Sequence, residues 1–260
     1  MSFPELVAVL VPSDSRSCVT AFESLFSLQA FSVKEEYGAS RDQDGKTSGC
    51  NVPLVNVNIH CSQPHLECAA HVLPKSCGFV VSDAIRNGEV EKAVLITPEV
   101  TTLGASGEHY PVGNLDDKVL SRNAVERALA KIGYSSSDSS ILIRIRSEHL
   151  PFYESRNEIS SWPYLTLECS SFLNSRFSHL RTNAPSIERM DSHGGMWSHC
   201  LFFGIVECQK GSPVEECPRR TVGELFNIPS DIEDGRFLLI CPYIEMGLDC
   251  AITAPLLYMR

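Results

Sequence analysis

The stretch CSQPHLECAAH, residues 61 to 71, places His65, Glu67 and His71 within seven positions, with Cys61 at its start and His60 just before it. Five potential metal ligands in twelve residues is dense for a chain with eight histidines in all. On an extended chain His65 and Glu67 lie on one face with Cα atoms roughly 6–7 Å apart, so both can turn to one ion. On a helix they would point about 200° apart, so a regular helix is the poorer host. A fully extended run from Cys61 to His71 would span about 33 Å, too far for a single centre. The chain must therefore bend, and Pro64 and the Ala69-Ala70 pair are the permissive places. Imidazole, carboxylate and thiolate are the common ligands of zinc and other borderline divalent ions. Further ligands must come from elsewhere, with His193, His199, Glu207 and Glu224 as the candidates.

The elements around this stretch set how it is presented. VPLVNVNIH, residues 52 to 60, alternates Val55, Val57 and Ile59 against Asn56, Asn58 and His60. That is the period of a half-buried strand running straight into the ligand-rich segment. Leu6–Val11 reads as a short buried strand, not a signal peptide, because no basic leader precedes it. Glu35–Ser48 reads as a polar surface loop and residues 135 to 137 as another. Ala93–Thr97 and Ile141–Ile145 are candidate strands. Leu201–Val206, Phe237–Cys241 and Ala251–Tyr258 follow as later strands, the last broken by Pro255. Ser121–Lys131 reads as a helix, with Ser121 as cap, Ala124, Ala128 and Leu129 as the apolar stripe and Gly133 as the stop. Strands outnumber helices in mixed order, which implies an α/β or α+β chain folded as one domain over residues 1 to 260.

Composition narrows the partners. A formal net charge of −10 repels phosphate backbones, and the basic runs at 144 to 146 and 219 to 220 are too short to offset it, so no nucleic acid is expected. No segment approaches the roughly 18 apolar residues of a membrane span. Eleven cysteines, odd in number and without C-x-x-C spacing, read as reduced thiols of a cytoplasmic protein. HGGMW, residues 193 to 197, has the look of a glycine oxyanion loop, which would make the chain a serine esterase. No G-x-S-x-G elbow follows it, so a Gly-rich turn between strands is the better reading. Phe79, Trp162, Tyr164 and Trp197 could line an aryl pocket, although large aromatics are more often core.

Three stretches together resemble the metal-dependent cyclase family, which includes bacterial-type kynurenine formamidases and isatin hydrolases. Residues 61 to 71 resemble its H-x-G-T-H-x-D-x-P-x-H motif, with His65 and His71 matching, Glu67 in place of Asp and Cys61 in place of the first His, while His60 sits one position off. Residues 182 to 204 resemble its D-T-x-S-x-D segment, with Asn183 and Glu188 in place of the two Asp and His199 at the position of a metal ligand. Residues 223 to 243 resemble its E-N-L-x-N-L…P-x-G-R-F segment, placing Glu224 at a ligand position. An insertion around residues 207 to 220 makes Glu207 the rival. SSILIRI at 139 to 145 resembles a further family strand.

The resemblance implies a compact α/β domain with a mixed β core flanked by helices, of the swivelling β/β/α type, assembled as a homodimer or homotetramer. It implies hydrolysis of a formyl-arylamide or cyclic amide, such as N-formylkynurenine in tryptophan catabolism, with one or two Zn2+ or Mn2+ ions. Cys61, His65 and Glu67 would hold one ion. Glu67 and Glu224 would bridge to a second ion that His199 also binds, and His71 would act as general acid and base. The substitutions at Cys61, Gln63, Pro64 and Glu67 leave a second reading, a catalytically silent relative kept for binding or assembly.

Overall fold

The computed structural model describes residues 5–10, 31–37, 40–41, 47–48, 52–74, 77–134, 138–146, 162–205 and 217–260; the side chains of residues 31–55 and 61–62 lie outside that description. The strands run, in chain order, β1 (Leu6–Val9), β2 (Phe31–Tyr37), β3 (Ser40–Arg41), β4 (Thr47–Ser48), β5 (Val52–Val57), β6 (His65–Cys68), β7 (Val90–Ile96) and β8 (Thr101–Thr102). They continue as β9 (Lys118–Leu120), β10 (Ser140–Ile143), β11 (Tyr164–Leu165), β12 (His179–Thr182), β13 (Thr221–Glu224), β14 (Gly235–Ile240), β15 (Cys250–Ile252) and β16 (Leu256–Met259). Nine of them form one mixed sheet in the order β1-β16-β14-β7-β10-β12-β13-β6-β15. Its centre, β7-β10-β12-β13, is parallel, and the strands outside it pair antiparallel.

The parallel centre follows from its residues. Ala93–Ile96 and Ile141–Ile143 are unbroken apolar runs, and each of these residues is at most 1% exposed. A strand covered on both faces needs such a run, whereas a half-solvated one alternates. Each Leu or Ile buried this way contributes about 1.5–3 kcal/mol. The helix Arg122–Lys131 covers part of the sheet. Its Ser121 hydroxyl accepts the Ala124 N–H at 3.2 Å, and Ala124, Val125 and Leu129 face inward. Pro255 separates β15 from β16, so the final apolar stretch contributes two strands at different places in the sheet.

Three expected elements differ. Leu201–Val206 is not a strand: Trp197–Phe203 is a helix that ends at Gly204, whose φ of 76° supplies the left-handed cap. Ser198, His199, Phe202 and Phe203 are its buried residues, which is helical spacing, not alternation. The Glu35–Ser48 loop is partly strand, since β2 runs to Tyr37 and β3 pairs with β4. The strand over residues 52 to 60 ends at Val57, and Ile59–Ser62 forms one helical turn. That turn, not an extended chain, carries His60 towards β6. Residues 135 to 137 and Glu207 lie outside the described residues. Among the described residues, no helix is long and apolar enough to cross a membrane.

Candidate metal centre

His65 and Glu67 lie on β6, and the period of two puts them on one face. Strand pairing brings the rest of that face to them. Glu224 of β13 stands directly opposite His65, and Cys250 of β15 stands opposite Glu67. The bend expected after this strand is present, because Ala69–Val72 forms a 3-10 turn that folds His71 back over Glu67. His199 arrives from the buried face of the helix Trp197–Phe203.

These side chains meet at Glu67. Its Oε1 lies 2.6 Å from His60 Nδ1, 3.2 Å from His65 Nε2 and 3.8 Å from His71 Nε2. Its Oε2 lies 3.1 Å from His199 Nε2. Glu224 closes the group, with Oε1 3.4 Å from His199 Nε2 and Oε2 3.7 Å from His65 Nε2. The Glu67, His65, His199 and Glu224 side chains are at most 4% exposed, while His71 and His60 are 21% and 32% exposed and mark the open side.

Outer contacts fix each ring. His199 Nδ1 pairs with Glu188 at 2.9 Å, which leaves Nε2 facing the cluster. Glu188 also accepts the Ser198 and His199 N–H groups and the Tyr110 hydroxyl. His65 Nδ1 donates to the Gln63 carbonyl at 2.9 Å, and the Ile187 N–H donates to Glu224 Oε1 at 2.8 Å. His71 Nδ1 sits 3.0 Å from Asp249 Oδ2. A carboxylate or carbonyl on the outer nitrogen of a histidine sets its tautomer and aim, as in metal sites generally. Leu225, the residue after Glu224, has a φ of 61° in the left-handed region, sparsely populated for a bulky side chain.

The electrostatics describe carboxylates neutralised by imidazolium. Burial pulls the His65 imidazole down, but hydrogen bonds to Glu224 and Glu67 and their charges outweigh it and push it up to about 10. His60 follows the same pattern, with burial opposed by hydrogen bonds to Cys250 and Glu67, and is also pushed up to about 10. Burial raises the Glu67 carboxyl, yet His71, His199, His60 and His65 together hold it well below the usual range. A group that must gather protons to balance two buried carboxylates is chemically suited to a divalent cation in their place. Glu67, His71 and His199 offer ligand atoms within 4.8 Å of one another, as do His60, His65 and Glu67. Among the described residues, the ion pairs within this cluster join histidine to carboxylate. The donor set therefore fits a zinc-like ion.

The candidates divide as follows. His65, Glu67, His71, His199 and Glu224 are brought together. The Cys61 side chain lies outside the described residues; His60, read as one position off the motif, reaches Glu67 from its own helical turn. His193 does not join them: its side chain is 74% exposed, in a turn that leads into a helix rather than between strands. Gly195 of that turn packs under Trp197, where a Cβ would meet the indole at 2.2 Å. Phe79, Trp162 and Tyr164 are buried, and the Tyr164 ring meets Tyr110 at a tilt of 58°. Asp249 was missed from sequence, as was the hold of Glu188 on His199. The Asp-Cys pair gave no local signal, since it meets His71 and His60 only through the pairing of β15 with β6.

No family model matches the sequence, and no curated protein matches it. Solved structures do. A predicted metal-dependent hydrolase from Bacillus stearothermophilus superposes with a TM-score of 0.58 at 12% identity, covering 97% of this chain and 98% of that one. Isatin hydrolase A from Labrenzia aggregata, bound to benzyl benzoate, superposes with a TM-score of 0.60 at 12% identity, covering 88% and 83%. A structure described as a novel cyclase gives 0.61 at 12% identity, covering 98% and 87%. The chain thus shares its fold with these structures, at 12% sequence identity.

Proposed function

We propose that the protein is a metal-dependent hydrolase that opens a C–N bond of a formyl-arylamide or cyclic amide. The observation that carries this reading is the convergence of His65, Glu67, His199 and Glu224 beside a half-exposed His71–Asp249 pair. Similarity to an isatin hydrolase fold supports the substrate class. His65, Glu67, His199 and Glu224 would hold the ion, with His60 at its edge. Such an ion would lower the pKa of a bound water to near neutrality and polarise an amide carbonyl.

The remaining work falls to the chain. His71 faces the cluster through Nε2, and Asp249 holds its Nδ1. It takes a proton from water on Nε2 and returns it to the leaving nitrogen, without which an amide leaves poorly. Asp249 fixes the tautomer and stabilises the imidazolium formed between the two transfers. Glu188 holds His199 Nδ1 and so keeps its Nε2 towards the cluster.

The test is turnover of N-formylkynurenine and of isatin by protein loaded separately with Zn2+ and Mn2+. Hydrolysis of either, abolished in His71→Ala, supports the proposal. A metal-loaded protein that turns over neither, nor related formyl-arylamides and cyclic imides, overturns it.

A further inference from the structure

Most buried cysteines here behave as small hydrophobes. Cys68, Cys169, Cys217 and Cys241 belong to the main apolar cluster. Cys250, only 4% exposed, stands outside that cluster. Its place on β15, opposite Glu67, puts it on the face that carries the metal-ligand candidates. There its thiol meets His60 and Asp249, and the ligand atoms of the three residues lie within 4.8 Å of one another. His60 has a nitrogen for each neighbour, with Nδ1 on Glu67 and Nε2 3.9 Å from Asp249 Oδ2.

We propose that His60, Asp249 and Cys250 form a zinc-binding set of their own on the open side of the cluster, with Cys250 supplying a thiolate. The proposal rests on the metal-dependent reading above, because His60 faces both groups. A thiolate sulfur and an imidazole nitrogen, beside one carboxylate oxygen, make a donor set that favours zinc over manganese or magnesium. Three protein ligands leave a fourth tetrahedral position for water or substrate. Tetrahedral zinc holds a nitrogen and an oxygen ligand about 3.3–3.4 Å apart, so the His60–Asp249 pair, now at 3.9 Å, needs to close by about half an ångström. Binding releases the thiol proton of Cys250 to solvent and leaves its sulfur as the anionic ligand. Because Asp249 also holds His71, an ion in this set would adjoin the residue proposed to move protons.

Cobalt(II) titration of the full chain, followed by absorbance, tests the proposal without reference to activity. The wild type is expected to show visible ligand-field bands together with a near-ultraviolet thiolate-to-cobalt charge-transfer band. Cys250→Ser should lose the charge-transfer band and keep the visible bands, and Cys61→Ser should keep both. Asp249→Asn, with every cysteine intact and at a partly exposed position, should require at least tenfold more cobalt to develop the charge-transfer band. Visible bands without a charge-transfer band in the wild type would overturn the thiolate set and leave the main cluster standing. A charge-transfer band that survives Cys250→Ser, or disappears in Cys61→Ser, would assign the sulfur elsewhere and overturn it too. No cobalt spectrum at all would defeat both readings.

Discussion

The same sheet buries two polar centres, one on each face, and they are built on opposite terms. His65, Glu67 and Glu224 face one side, while His179, Arg181 and Thr221 of the neighbouring strands face the other. On that second side Arg181, fully buried, pairs with Glu91 at 2.9 Å and donates to the carbonyl of Thr221 at 3.0 Å. Glu91 also accepts the Ser140 hydroxyl, and His179 Nδ1 pairs with the Thr221 hydroxyl at 2.8 Å. Gly223 lets the arginine pass, since a Cβ there would lie 2.7 Å from Arg181 Cδ. This network brings its own cation. Among the described residues, the face that carries Glu67 pairs two buried carboxylates with histidines alone, with an open side at His60 and His71. A closed, self-neutral network is a structural element; an open one that lacks a permanent cation is a place for ligand chemistry.

Substitutions distinguish the two centres. The largest effect is expected at the open centre: His71→Ala should lower kcat on an accepted substrate by about 10²–10⁴-fold, with little change in thermal stability, because the residue is half-buried and makes its bonds at the rim. A loss of stability instead of rate would place His71 with the structural side. Arg181→Met should do the reverse. It leaves Glu91 buried without its partner and should cost about 3–5 kcal/mol in urea unfolding, while the folded fraction keeps its metal content. A mild effect would mean that Glu91 takes up a proton and that the network is not an obligate pair.

The pH dependence of the closed network follows from His179. Burial pulls its imidazole down from 6.5 to about 4, against the charge of Glu91. Between those values the unfolded chain holds a proton that the folded chain refuses, so stability is full above about 6.5, falls as pH drops from there to about 4 and levels off below it. The loss amounts to about 3 kcal/mol. Urea midpoints at pH 7 and pH 4.5 should show it, and His179→Gln should remove that part of the acid sensitivity. The smallest effect belongs to a contact once removed from the open centre. Glu188→Gln keeps the shape but weakens the hold on His199, and should reduce zinc affinity by about 10–100-fold in competition with a chelator. Unchanged affinity would show that the helix alone positions His199.

How much was legible in the sequence differs between these two centres. The open one announced itself, because His65, Glu67 and His71 are close in sequence and the strand period put the first two on one face. The apolar runs of β7 and β10 and the capped helix Arg122–Lys131 were also readable, since each rests on local spacing. Asp249 and Cys250 were not, because they become neighbours of His71 and His60 only when β15 pairs with β6. The Arg181–Glu91 pair joins residues ninety positions apart and left no local mark. The helix Trp197–Phe203 was misread because LFFGIV is apolar throughout and hides its period. The useful signal was Gly204, whose left-handed cap marks a helix end.

The face bearing Glu67 is proposed to hold a divalent ion. The most direct test is elemental mass spectrometry of protein purified without chelator and then dialysed against equimolar zinc and manganese. At least one zinc ion per chain is expected, with one ion fewer in His65→Ala and in Glu224→Ala than in the wild type and none lost in Arg181→Met. A folded wild-type protein that carries no metal and refuses both ions would contradict it.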